Sequence, residues 1–133
     1  MQIICVKDNI TNCDRCYKDM LMSNKISAYY DAIKQLEQIK QGDLILLYHK
    51  NWKVIAVGFA ISNVLTNDML KHDDRESFVY INWIFKANDD LNNSIDYRNI
   101  ADGNPPPPTV SPVYKVNEKK LFEEMSKKQN LYV

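Results

Sequence analysis

The sequence predicts an α+β fold, a small curled β-barrel flanked by helices, and three observations carry the prediction. The runs "LILLY" at 44–48 and "VIAVGFAI" at 54–61 are apolar on both faces, so each strand needs cover on both sides. The run "FVYINWIFK" at 78–86 is a third long strand, with Val79, Ile81, Trp83 and Phe85 forming one wholly apolar face. Gly58 interrupts the second run where a bulge or sharp bend lets a sheet curl. At 133 residues, 45% hydrophobic and 26% charged, the chain is expected to form one domain spanning residues 1–133.

The elements follow in order. "QIICVK" at 2–7 is a β-branched first strand, and turn-forming Asp, Asn and Thr then predict a loop through about residue 19. From Ser27 to Lys40, Tyr29, Ala32, Ile33, Leu36 and Ile39 recur near i, i+3, i+4 spacing, which predicts an amphipathic helix ended by Gly42. The two apolar runs pair as a hairpin across residues 49–53. Residues 66–77 are a polar excursion, and "SIDYRNI" within the loop-rich stretch 87–112 reads as a short strand. Pro105 to Pro108 form a stiff extended spacer, and "VYKV" follows as a brief strand. Asn117 caps a terminal helix, with Glu118 at its positive end and Lys127 and Lys128 at its negative end.

Several function classes are disfavoured. Seventeen basic residues balance seventeen acidic ones, so no global field draws in a polyanion and any nucleic-acid binding rests on a local basic patch. The three glycines, Gly42, Gly58 and Gly103, build no phosphate loop, and nucleophile-elbow and zinc-protease motifs are missing. Cys13 and Cys16 have C-x-x-C spacing, yet Cys5, His49 and His72 complete no recognisable zinc pattern, so ordinary thiols in a loop are expected. His49 is a candidate general base, with Asp73 or Asp74 as partner in a hydrolase reading, but it lacks a nucleophile or metal partner in the sequence. No apolar run is long enough for a signal peptide or a membrane span, which leaves a cytoplasmic binding module without catalysis, cofactor or metal as the expectation.

The succession of strand, loop, helix, hairpin opening on Gly42 and Asp43, long strand ending "WIF", proline-bearing loop, short strand and terminal helix resembles the PUA-like superfamily. The segments "GDLILLY", "VIAVGFAI", "YINWIFKANDDLNN" and "SNKISAYYDAI" carry the resemblance, particularly to its EVE and YTH branches. It implies a small β-barrel that binds nucleic acid and holds one flipped, modified base. YTH domains hold N6-methyladenine in a cage of aromatic rings. Laid on this sequence residue by residue, the first cage tryptophan falls near Leu21, beside Met22 and Ser23, and the second near Leu70 or Arg75. None of these is aromatic, so the methyladenine cage is not carried over.

The EVE-like branch includes DNA-binding parts of McrB-type modification-dependent restriction enzymes. That resemblance implies a DNA-binding specificity module that flips a modified base, the N-terminal module of a larger protein or one working beside a GTPase motor and a nuclease subunit. Alternatives are an RNA modified-base reader of the same fold, or a protein-interaction regulatory domain using the proline run and Trp52. The expected pocket lies between the first loop and the hairpin. Trp52 at the hairpin tip stacks on a base or wedges into a duplex, with Lys50 and Lys53 on phosphates. Tyr17 and Tyr30 supply rings, Ser23 and Asn24 meet a base edge, and Lys7 and Asn9 follow the first strand where relatives contact the flipped base.

Overall fold

The computed structural model describes residues 1–8, 16–29, 33–67, 76–107 and 110–129. Its elements are β1 (Ile3–Lys7), α1 (Cys16–Met22), β2 (Lys25–Tyr29), α2 (Ile33–Leu36), β3 (Leu44–His49), β4 (Lys53–Ala60), β5 (Leu65–Asn67), β6 (Glu76–Lys86), β7 (Ile95–Asp96), α3 (Tyr97–Ile100), β8 (Ser111–Pro112) and α4 (Glu118–Gln129). The strands join in the order β2-β6-β4-β3-β1-β8, with β5 added to β6 and β7 to β4. β1 runs parallel to β3, while the other pairs are antiparallel. This mixed sheet curls into a half-barrel with helices on its flanks, as the doubly apolar strands predict.

Alternation along the strands divides the apolar side chains between two cores. Ile4, Val6, Ile26, Leu36, Ile39, Ile45, Leu47, Ile55, Val79 and Ile81 fill one, on the side of α1 and α2. Leu44, Leu46, Val54, Val57 and Phe85 fill the other, closed by Tyr97 and Ile100 of α3 and Leu121 and Met125 of α4. Each fully buried aliphatic side chain contributes about 1.5–3 kcal/mol, so covering both faces of β3 and β4 supplies much of the driving force.

The curl has a local cause. Val57 pairs with Phe85 and Gly58 with Trp83, which leaves Ile84 as an extra residue on β6. A bulge of this kind sends the residues on either side to opposite faces. Trp83 accordingly packs against the first core and Phe85 enters the second, so the single apolar face expected for β6 is split in two. Trp83 is half-buried within its core rather than fully enclosed. Gly58 is obligatory here, because a Cβ at this position would stand 2.5 Å from the Asn82 carbonyl oxygen and 2.7 Å from Ile81 Cγ2.

Four expectations are corrected. Residues 25–29 form strand β2 against β6, with Ser27 opposite Phe78, and among the described residues of the segment the helix is Ile33–Leu36. Sheet pairing overrides the helical period of the segment, although Leu36 and Ile39 are buried as the period predicts. The first loop contains helix α1, whose Met20 is buried in the first core, a packing contribution that the polar character of the segment hides. "SIDYRNI" is a two-residue strand followed by α3, capped when the Asp96 side chain accepts from the Arg98 amide. The last short strand is Ser111–Pro112, not "VYKV". Proline is tolerated in it because it lies at the sheet edge beside β1. The Asn117 cap holds, since its side chain accepts from the Lys120 amide at 3.0 Å. Cys5 is buried and in no disulfide, with burial pushing its thiol up, while Cys16 opens α1 and Cys13 lies outside the described residues.

Asp43 ties these parts together. Its buried carboxylate accepts from the Gln2 amide at 3.0 Å and the Lys40 amide at 2.9 Å, and its carbonyl accepts from the Ala60 amide at 2.9 Å. One side chain thereby fixes the start of the chain, the exit from α2 and the start of β3.

Two stability predictions follow from this packing. Gly58→Ala is expected to destabilise the protein by about 1–3 kcal/mol, the usual cost of forcing atoms into a filled site, measured by urea unfolding. Asp43→Ala is expected to cost about 3 kcal/mol by the same measurement, because it removes charge-assisted hydrogen bonds from two backbone amides; Asp43→Asn should cost less.

Candidate functional site

The parallel pairing of β1 and β3 decides where the site lies. Lys7 stands opposite Tyr48, and the Asp8 amide donates to the Tyr48 carbonyl at 2.9 Å, so the end of β1 lies beside the β3–β4 hairpin tip. Residues 50–52 turn as a 3₁₀ segment in which Asn51 and Trp52 both take the left-handed conformation, φ 62°. For a tryptophan this backbone costs on the order of 1 kcal/mol, and it persists because the indole is held. Trp52 packs against the second core and is half-buried, not a freely exposed ring.

The Arg98 guanidinium lies over the indole, 5.5 Å from the ring centroid. Asp96 holds Arg98 through two parallel contacts, Nε to Oδ1 at 3.0 Å and Nη2 to Oδ2 at 2.8 Å. This pairing holds the Asp96 carboxyl below the usual carboxylate range. Because Asp96 also pairs with Lys53 across β7 and β4, the cation is delivered to the tip by the sheet itself.

A cavity of about 360 Å³ opens at this tip, lined by Lys7, Tyr48, His49, Lys50, Asn51, Trp52 and Pro106. The Tyr48 hydroxyl donates to the Pro107 carbonyl, which seats the proline run along one wall. Pro105 to Pro107 therefore serve as a rigid rim. Behind His49 lies Asp8, buried and bonded to the imidazole Nδ1. Burial pushes the Asp8 carboxyl up, and the bond to His49 pulls it partly back.

The Tyr17 ring lies 5.0 Å from His49, tilted by 53°. Tyr17 also lines a second, more apolar cavity of about 220 Å³ with Lys18, Leu21, Met22, Lys86, Ala87, Asn88, Asp89 and Leu91. Lys86 Nζ reaches the Leu21 carbonyl at 3.0 Å and ties α1 to β6 beside this cavity. The Tyr17 and His49 rings thus stand between two adjoining cavities. Leu21 and Met22, where the YTH cage pattern falls, line the second one with aliphatic groups, while Leu70 and Arg75 lie outside the described residues.

Of the residues singled out in the sequence, Trp52, Lys50 and Lys7 meet in the tip cavity, and Tyr17 borders it. Lys53 is exposed at the start of β4 and lines neither cavity. Ser23 and Asn24 are exposed in the turn after α1 and also line neither. Asn24 instead supports the fold, in the left-handed conformation with φ 54°, and its carbonyl accepts from Ile81. Asn9 and Tyr30 lie outside the described residues, as do Asp73 and Asp74. Asp8 and Arg98 were not anticipated, because only the strand register and the β7–β4 pairing bring them to the tip; Tyr48 adjoins the hairpin in sequence, and its bond to Pro107 brings the proline run there. Among the described residues no cluster of three or more potential ligands could hold a metal ion, and no helix is long and apolar enough to cross a membrane.

The arrangement can stack a planar ring on Trp52 and neutralise an anion with Lys7 and Lys50. No protein-family model matches the chain, and no curated protein matches it. Solved structures do. The YTH domain of the Zygosaccharomyces rouxii MRB1 protein, in complex with N6-methyladenosine RNA, superposes with a TM-score of 0.56 at 12% identity, covering 96% of this chain and 86% of that one. The Mmi1 YTH domain in complex with RNA gives 0.52 at 9% identity, over 98% of this chain and 76% of the other. A hypothetical protein from Leishmania major gives 0.54 at 12% identity, over 97% of both. This chain is therefore built on the PUA-like fold of the YTH domains.

Proposed function

We propose that this chain is a non-catalytic nucleic-acid-binding module that takes a single unstacked nucleotide into the cavity at the β3–β4 tip and reads a modified base there. The observation that carries this reading is the convergence of Trp52, Lys7 and Lys50 on one cavity, a ring to stack on a base with two cations for the flanking phosphates. With no net charge, the molecule depends on this local group for affinity. RNA is the favoured polymer, because the solved domains of this fold named above include complexes with RNA and with N6-methyladenosine RNA. Modified DNA, with a restriction motor and nuclease as partners, remains the reading of the EVE-like resemblance and is the second arm of the test.

The experiment is fluorescence-detected binding to single-stranded RNA, single-stranded DNA and duplex DNA of one sequence, each with adenine, N6-methyladenine, cytosine or 5-methylcytosine at one position. The expected result is preference for one modified base in single-stranded RNA, and equal weak binding to every oligonucleotide contradicts the proposal. In the same assay Trp52→Ala should weaken binding about 5- to 150-fold, the loss of about 1–3 kcal/mol of stacking, while Trp52→Phe retains most of the affinity. Replacing Lys7 and Lys50 together by Gln should weaken binding to all sequences alike. It should also flatten the dependence of log affinity on log salt by about 1.4, the loss of two phosphate contacts on a single strand.

A further inference from the structure

The side chains around the tip cavity are unequal in hydrogen-bonding character. Lys7 and Lys50 are donors only, the Trp52 indole has a donor only, and the Tyr48 hydroxyl already gives its proton to Pro107. The exposed Asn51 amide and the Tyr48 oxygen can also accept, but His49 is the side chain whose donor and acceptor sites are assigned by a buried carboxylate. Its Nδ1 is engaged by the buried Asp8 carboxylate, and its side chain is 20% exposed at the cavity wall. With the carboxylate seated on Nδ1, the neutral tautomer that satisfies this bond carries its proton on Nδ1 and presents Nε2 as an acceptor. Tyr17, 5.0 Å from the imidazole, packs beside it and restricts its rotation. Among the described residues the Asp8 bond is the only hydrogen bond of the His49 side chain.

We infer that Asp8 and His49 set the hydrogen-bond polarity of the nucleotide cavity, with His49 Nε2 accepting from an exocyclic N–H of the bound base and Asp8 positioning it. This rests on the proposed function and narrows its ligand to bases that carry an exocyclic amino donor: adenine, cytosine, guanine through its N2 group, and N6-methyladenine, which keeps one N–H. N6,N6-dimethyladenine has lost both N–H groups and is excluded. Bases that present a carbonyl at the same edge, such as hypoxanthine and uracil, are disfavoured because two acceptors face one another.

The test has one readout without ligand and one with it. In the free protein, ¹⁵N chemical shifts of the imidazole, assigned by comparison with His49→Gln, should place the proton of the neutral ring on Nδ1; a proton on Nε2 overturns the inference. In binding, wild-type protein should discriminate N6-methyladenine from N6,N6-dimethyladenine, and adenine from hypoxanthine, by about ten-fold or more, the usual consequence of an unmatched polar group in an enclosed site. Asp8→Asn, whose amide can donate to Nδ1 and move the ring proton to Nε2, should shift preference toward hypoxanthine. Tight binding by the wild type with no discrimination in either pair overturns the inference while leaving the proposed function intact. No binding to any oligonucleotide removes the proposed function and, with it, the base as ligand of His49.

Discussion

The parallel alignment of β1 with β3 is the constraint on which the rest of the site depends. Parallel strands run out at the same end of the sheet, so the residues following β1 arrive beside the hairpin that follows β3. Lys7 reaches the cavity because it is opposite Tyr48, and Asp8 reaches His49 because its amide continues the ladder by one bond. A slip of one residue would send Lys7 to the other face of the sheet and break the Asp8 bond to the imidazole. Asp43 secures that register from the far end by holding the Gln2 amide at the start of β1 and leading into Leu44.

The cavity combines features that a neutral protein needs to bind a charged polymer. Long-range attraction is absent, so recognition has to come from short contacts in a partly enclosed place. The cavity walls are rigid for separate reasons: the tip is pinned by Arg98 over Trp52, the proline run by Tyr48, and the imidazole by Asp8 and Tyr17. Preorganisation of this kind lowers the ordering cost of binding and favours discrimination over raw affinity.

Much of the fold was legible in the sequence because the strongest signals were those of buried strands. The runs at 44–48 and 54–61 required cover on both faces, and two cores provide it. Gly58 marked the bend correctly, since no Cβ fits there. Residues 27–29 were misread because apolar residues at helical spacing also occur by chance in a strand whose partner, β6, is about fifty residues away. The site was half legible. Trp52 and Lys50 announce themselves at a hairpin tip, and Lys7 at a strand end. Arg98 and Asp8 gave no local signal, because each acquires its role from a strand pairing distant in sequence. Ser23 and Asn24, drawn from the resemblance, face solvent beyond both cavities in this chain.

The central claim is that the nucleotide site is the cavity at the β3–β4 tip. The most direct measurement is to map amide chemical-shift changes during titration with a short single-stranded RNA carrying N6-methyladenine. The account predicts that the largest changes fall on Lys7, Asp8, Tyr17 and residues 48–52, with Arg98 following. Changes centred on α4 or on the exposed strand face around Phe78 and Tyr80, with the hairpin tip unaffected, would contradict it.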